Sequence, residues 1–474
     1  MRYARKLLLV FVVTVVAVCG LSWWLGRQVE ATFDRQFEQL SQSPYVASVS
    51  REYVRGFFSA RETLILTLSQ EWQERLLLLA ANANLPLEFL REPVQLRNET
   101  RIRIGPLAGG LLPAAGRARG EMFVEGALGK EISAALDGVP MLTATVRFGF
   151  GGGATGTLEG PAFSYVHPEG ATEGLTALSW GGFHGTFSFS RDFRRVGSRL
   201  RMPSAEFQTH EGRLQLSGLT VDSKQYQPFQ DIPLFYAGAM NLTLERMAFF
   251  SPEEAGQNPA LLTLHGLAWK TDLPRQDEYF DLDSRLSIEE LHVAGDDYGP
   301  VHYYLVLHRL HGHTLARLYQ VMIDEYYGAP VTGPADPSGF LEEFTSMELL
   351  VEMLRHSPEL HRYEIGFNSA YGPASMFVRA GFEDLKPEDL DLPFVALVKL
   401  VAGGELSLPV EMLRHAVLAW DTDSEAMFDL QLHELQKQGY VDLNDQLLKV
   451  RFGLKRLEVT VNDKPLNLFG SGVM

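Results

Sequence analysis

Cysteine is almost absent from this chain of 474 residues: Cys19 is the single one, and it lies inside an apolar N-terminal run. The remainder therefore has no thiol for a disulfide or a thiolate metal site. Positive charge is also scarce, with 42 Lys and Arg against 59 Asp and Glu and a formal net charge of -17. A field of that sign repels phosphate backbones and anionic headgroups, which argues against nucleic acid as a partner. Long apolar runs are missing beyond the N-terminus, since no later stretch approaches about 18 uncharged apolar residues. Nucleophile-elbow, P-loop and H-E-x-x-H patterns are missing too. What the chain does have is 46% hydrophobic and 21% charged residues, the balance of a folded protein with room for two or three cores.

After Arg2, Arg5 and Lys6 the chain reads LLLVFVVTVVAVCGLSWWLG without a charge. At 1.5 Å per helical residue this run spans roughly 30 Å, the hydrocarbon thickness of a bilayer. Residues 1–26 are therefore expected to be a short cytoplasmic start and a transmembrane anchor. Leu7, Val12, Val16 and Leu21 would lie in the hydrocarbon, with Trp23 and Trp24 at the outer interface. A cleaved signal peptide would need small residues where Trp23, Trp24 and Leu25 stand. A lipoprotein would need a small residue before Cys19, where Val18 stands. The basic start and very short tail orient the N-terminus to the cytoplasm, placing the bulk on the periplasmic side of a bacterial inner membrane.

Residues 27–44 carry Val29, Phe33, Phe37 and Leu40 at three- and four-residue spacing, one apolar stripe on a continuing juxtamembrane helix. A stalk packed on its own domain is one reading; a homodimer-forming helix is the other. From about 45 to 310 the period changes to two, as in Thr63–Leu68, Met141–Val146, Thr186–Ser190 and Leu214–Leu219, which predicts antiparallel strands with one buried and one solvated face. Helical spacing returns at about 314–327, 340–355, 408–420 and 424–437, with strands between 363 and 382 and a closing hairpin at 447–452 and 457–465. The expected fold is α+β. An anchor is followed by a large, mainly antiparallel β-domain over 45–310, then an α+β region over 311–474 continuous with the sheet.

Three stretches carry a resemblance. Tyr53-Val54-Arg55-Gly56-Phe57-Phe58-Ser59-Ala60, Tyr298-Gly299-Pro300, and Gln438-Gly439-Tyr440-Val441 followed by Leu457–Leu466 with Asn462 and Pro465 resemble, in order, the signatures of the YdgA/YihF-like family of bacterial envelope proteins. The chain departs from the family pattern at Ile104-Gly105-Pro106-Leu107, where members more often carry His-Gly-Pro-Phe, and at Asp463, which replaces a turn glycine. The family has no known function, so the resemblance implies topology and location but no reaction.

Candidate chemistry fares poorly against plain structural readings. Gly151–Gly156 satisfies G-x-G-x-x-G, but Gly160-Pro161 soon after denies the helix that would offer its amides to a pyrophosphate, so a β-turn is expected. His302, His308, His311 and His313 are the densest histidines, yet no carboxylate or cysteine stands at a supporting spacing, and structural histidines are expected in place of a metal site. Asp296-Asp297 reads as an exposed turn. Tyr53, Arg55, Phe57 and Phe58 could form a lipid- or partner-facing lip; the structural alternative puts Phe58 in the core, Arg55 in solvent and Gly56 in a turn. The sequence thus points to no catalytic residue, metal or cofactor. It points to a non-enzymatic envelope protein that binds another envelope component, with a lipid or hydrophobic-ligand carrier as the alternative.

Overall fold

A computed structural model of the chain describes residues 20–466 apart from 21, 32, 35–36, 39, 42, 44–45, 71–72, 75–92, 106–107, 109–113, 167–174, 210–211, 233–234, 252–259, 329–343, 421–424 and 445. The expected anchor residues Leu7, Val12, Val16 and Leu21 lie outside the described residues. Among the described residues, no helix is long and apolar enough to cross a membrane. The chain divides into two compact units. One comprises Met1–Tyr226, Phe250–Asn258 and Asp324–Ala335; the other Gln227–Phe249, Pro259–Ile323 and Asp336–Met474.

The first unit is an antiparallel sheet built on the alternation read in the sequence. Its strands are β1 (Val46–Arg55), β2 (Ser59–Leu68), β3 (Gln95–Ile104), β4 (Gly116–Glu125), β5 (Leu142–Phe148), β6 (Ala154–Gly160), β7 (Phe163–Val166), β8 (Leu175–Trp180), β9 (Phe183–Phe189), β10 (Arg195–Thr209) and β11 (Gly212–Tyr226). β1 to β6 pair in chain order. β9 then joins β6, β10 joins β9 and β11 joins β10, while β8 pairs the second half of β10 and β7 pairs β8. One helix that the period-two reading missed, α1 (Gly126–Ala135), lies between β4 and β5; its Ala, Leu, Lys and Glu residues favour helix.

One face of this sheet aligns Ala60, Ile102, Ala118 and Val146 across four strands, with Phe148 and Ala154 beside them. Helical residues between 20 and 41 lie on that face. Leu25 and Val29, one helical turn apart, sit in a single cluster with Ala60, Ile102, Ile104, Ala118, Phe148 and Ala154, and Phe33 packs against its edge. The alanines on the sheet leave room for the helix to approach. Through Val29 and Phe33, the apolar stripe of this helix meets the chain's own sheet.

The second unit runs β12 (Ala237–Phe250), β13 (Leu262–Asp272), β15 (Tyr279–Ile288), β17 (Asp296–His311), β18 (Glu359–Ser369), β19 (Gly372–Phe382), β20 (Leu400–Pro409), β22 (Leu447–Lys455), β23 (Glu458–Val461) and β24 (Lys464–Pro465), each antiparallel to the one before. Short β14 (Arg275–Gln276), β16 (Glu290–Val293) and β21 (Asp442–Asn444) flank them. Four helices match the expected positions: α2 (Gly312–Gly328), α3 (Phe344–Arg355), α5 (Val410–Trp420) and α6 (Glu425–Gln438). The short α4 (Pro393–Lys399) and β20 were not expected, because Pro393 and the glycine pair Gly403-Gly404 blur both periods.

Ile102 is 1% exposed and Leu25 2% exposed in one cluster. Ile102→Ala is expected to cost about 2–5 kcal/mol in urea unfolding of the detergent-solubilised protein. A double-mutant cycle with Leu25→Ala should show a coupling of at least ~0.5 kcal/mol. Strict additivity would mean that helix and sheet do not share a core.

Candidate functional site

The Tyr53-x-Arg55-Gly56 stretch lies where the N-terminal helix meets β1 and β2. Arg51 Nε donates to Glu62 at 2.6 Å, its Nη1 donates to Asp34 on the helix at 2.7 Å, and its guanidinium lies 4.9 Å from the Tyr53 ring and 5.5 Å from the Phe37 ring. Four residues on from Arg51, and therefore on the same face of the strand, Arg55 pairs with Glu30 at 2.6 Å and donates to the Trp23 carbonyl at 3.1 Å. The two arginines bind successive helical turns. Burial pushes the Glu62 carboxyl above the usual carboxylate range, and the Arg51 hydrogen bond and charge pull it back. Tyr53, pushed up to about 12 by burial and then by the charges of Glu30 and Glu62, keeps its phenolic proton.

Two expectations about this stretch are corrected. Phe58 is not in the core: it is about half exposed, as is Phe57, and the two rings meet edge to face at 4.7 Å on the hairpin between β1 and β2. Arg55 is not simply solvated, because the helix supplies it with a carboxylate. Gly56 does make the turn, its amide donating to the Ser59 carbonyl at 2.7 Å. Trp23 and Trp24 are about half exposed, whereas Ser22 is fully buried and a Cβ on Gly105 would come within 2.8 Å of its Oγ. This end of the apolar run therefore touches protein on one side.

The other motif residues are structural. Gly299, at φ 140, leaves no room for a side chain, since a Cβ there would meet the Glu289 carbonyl at 2.7 Å; Pro300 follows it in β17. Gly439, at φ 75, ends α6 with Tyr440 N–H donating to the Leu435 carbonyl at 2.9 Å, and Val441 is buried. Asn462 receives Arg451 N–H at 2.8 Å and donates to the Tyr440 carbonyl at 2.9 Å, so the closing hairpin is tied to the helix end; Pro465 pairs opposite Thr460. Asp463 sits at φ 63, a conformation in which aspartate stands in for glycine at modest cost.

A family model described as a bacterial protein of unknown function (DUF945) matches residues 5–469. The chain belongs to that family. No curated protein and no solved structure matches it. This DUF945 chain brings several of its histidines into pairs.

His311 and His356 stack in parallel, centroids 3.8 Å apart and planes 9° apart. His311 Nδ1 is 2.7 Å from Thr314 Oγ1, and the Tyr279 hydroxyl is 3.5 Å from His356 Nδ1. His308 pairs with Asp281 at 3.4 Å, His313 with Asp231 at 3.0 Å and His302 with Glu364 at 3.1 Å. The carboxylates absent from the local sequence come from other strands and loops, one each to His302, His308 and His313, while His311 has Thr314 and His356 instead. Among the described residues, no group of three side chains could hold a metal ion. Gly149–Gly153 is a hairpin turn with Gly152 at φ 85, as expected, and no helix follows it. Asp296 and Asp297 open β17, and Asp297 pairs with His292 at 2.7 Å.

The feature of the second unit that sequence reading did not locate is a row in register. Leu242, Trp269, Leu286, Tyr303, Ile365, Met376, Leu406 and Val450 face one another across eight strands. Trp269 is exposed and the other seven are partly so. One residue along, on the opposite face, Lys270, Arg285, Tyr304, Glu364, Phe377, Glu405 and Arg451 form the matching row. Each strand shows the alternation, but only the register turns it into a continuous apolar band.

Arg51→Met should destabilise the protein by about 3–5 kcal/mol, because Glu62 would stay buried without its cation, and adding Glu62→Leu should recover most of that loss in urea unfolding. Burial, and then the adjacent His356, hold His311 below the ordinary histidine value. The unfolded chain therefore takes up the proton first, so this contribution is intact above about pH 6.5 and is lost as pH falls toward the lower folded value. Urea midpoints should drop on acidification from about pH 7.5, and drop less in His311→Gln.

Proposed function

We propose that this chain is a single-pass protein of the bacterial inner membrane, with a cytoplasmic N-terminus and a periplasmic bulk, that works by binding a hydrophobic envelope component and not by catalysis. Within its family we place it with the YdgA/YihF-like envelope proteins. The uncharged run at residues 7–26 supports the anchoring, and the helix that continues from it is locked to the sheet by Arg51, Arg55 and the Leu25 cluster. A domain so held works at the bilayer surface.

The apolar row of the second unit carries the binding reading. At about 4.8 Å between strands its eight positions span roughly 34 Å, about twice the reach of one acyl chain in a bilayer leaflet. Side chains of this size on one continuous, partly exposed face suit a lipid tail better than a polar ligand. A second reading, a protein partner, has its own support in the exposed Leu392, Phe394 and Leu397 around α4 and the exposed Met427 and Leu430 on α6.

The test is native mass spectrometry of the full chain purified in mild detergent. Lipid should co-purify in excess over a control single-pass protein, and Met376→Glu in the centre of the row should lose it while leaving the far-ultraviolet circular dichroism unchanged. No excess lipid on the unmodified chain would overturn the carrier reading. Loss of a co-purifying protein in Phe394→Ser would favour the second reading.

A further inference from the structure

We infer that one end of the first sheet is itself a membrane-contacting surface, resting on a bilayer that contains anionic phospholipid, through an uncharged aromatic rim with tiers of arginine above it. This inference rests on the anchoring proposed above and adds to it a second, independent contact with lipid.

Antiparallel pairing gathers alternate connections at one end. Arg55 is opposite Ala60, Ile104 opposite Gly116, and Phe148 opposite Ala154, so the β1–β2, β3–β4 and β5–β6 connections share an end of the sheet. Those connections read Gly56-Phe57-Phe58, GPLAGGLLPAA from 105 to 115, and Gly149-Phe150-Gly151-Gly152-Gly153, with no charged residue in any of them. The connections at the opposite end differ: 69–94 includes Glu71, Glu74, Arg75, Glu88, Arg91 and Glu92, and 126–141 includes Lys130, Glu131 and Asp137. In a chain with 59 acidic residues, three connections at one end of a sheet carry no charge.

The same end holds the first described residues of the helix. A Cβ on Gly105 would meet Ser22, Arg55 binds the Trp23 carbonyl, and Trp24 lines a cleft with Phe150 and Gly151. Further along, Asp34 reaches Arg51, four residues deeper into β1, so the helix runs away from this end. Trp23, Trp24, Phe57, Phe58 and Phe150 are each about half exposed. Aromatic side chains around the exit of an apolar segment are what a bilayer interface collects.

Above the rim, on the face opposite the helix, arginines stand directly across from one another. Arg103, Arg117 and Arg147 form one register row, and Arg61, Arg101 and Arg119 form the next. Like charges in register repel, and anions beside them relieve that repulsion; Arg147 already has a partner of its own within the protein. Arg119 has Glu121 at 3.1 Å. The rows are two residues apart, about 7 Å along the strands, and the lower one begins two residues from the turns, within the roughly 5–8 Å occupied by headgroups on one side of a bilayer. Anionic lipid attracts basic groups at that depth. The neighbouring β9–β10 tip, Ser190–Arg194, carries Arg191 and Arg194 with Asp192, and extends the basic border.

The experiment uses the full chain with Cys19→Ser and a single cysteine, Phe57→Cys, carrying an environment-sensitive fluorophore. A second preparation carries the label at Asp137→Cys, at the opposite end. Both are reconstituted into vesicles of zwitterionic lipid with or without phosphatidylglycerol. The label at 57 should shift to the blue and be quenched by lipid-borne bromine, more strongly with phosphatidylglycerol, while the label at 137 stays aqueous. Arg103→Gln with Arg117→Gln should remove the dependence on phosphatidylglycerol. A chain that floats with the vesicles while the label at 57 stays aqueous overturns the rim and leaves the anchor standing. A shift at 57 that ignores phosphatidylglycerol overturns the arginine tiers. A chain that does not float overturns the anchoring and the rim together.

Discussion

A β-sheet has two faces, and an apolar one has to be covered by something. In the first unit the cover is the N-terminal helix. Leu25 and Val29 enter the cluster around Ile102, and the cost of the polar groups that must pass beneath the helix is met by pairing: Arg51 with Asp34 and Glu62, Arg55 with Glu30. Because the ion pairs join side chains from the helix and from β1 and β2, the packing fixes the direction of the helix as well as its place. The pairing of Arg55 with Glu30 and with the Trp23 carbonyl follows from that one contact.

In the second unit the same constraint has a different outcome. Phe280, at one end of its apolar face, is fully buried beneath Phe229, Phe235 and the start of α2, where Gly312 allows the closest approach. Across the middle of the sheet, the row from Leu242 to Val450 keeps some exposure. An apolar face that is covered at one end and partly open along its middle is the arrangement on which the proposed lipid binding depends.

Net charge proved a coarse guide. A total of -17 suggests repulsion from every anionic surface, yet six of the 42 basic residues meet in two register rows at one end of the first sheet. Screening confines each charge to a neighbourhood of about 8–10 Å, so what a surface attracts depends on its local charges and not on the sum.

Much of the architecture was legible in the residues. Alternation announced the strands, three- and four-residue spacing announced four of the C-terminal helices, and Gly56 marked a turn that a Cβ would obstruct. Both periods are local and survive in the one-dimensional string. α1, α4 and β20 were not legible, because glycine and proline interrupt the pattern there and neighbouring elements decide the conformation. The clamp was visible only as a motif: that Arg55 would find Glu30, or that Phe58 would face outward, depends on where a helix 25 residues away is laid down. The sequence by itself determined the periods, the turns and the uncharged stretches. Register decided the rest, since only the pairing of strands tells which side chains from distant segments share a face, and pairing is a property of the folded sheet.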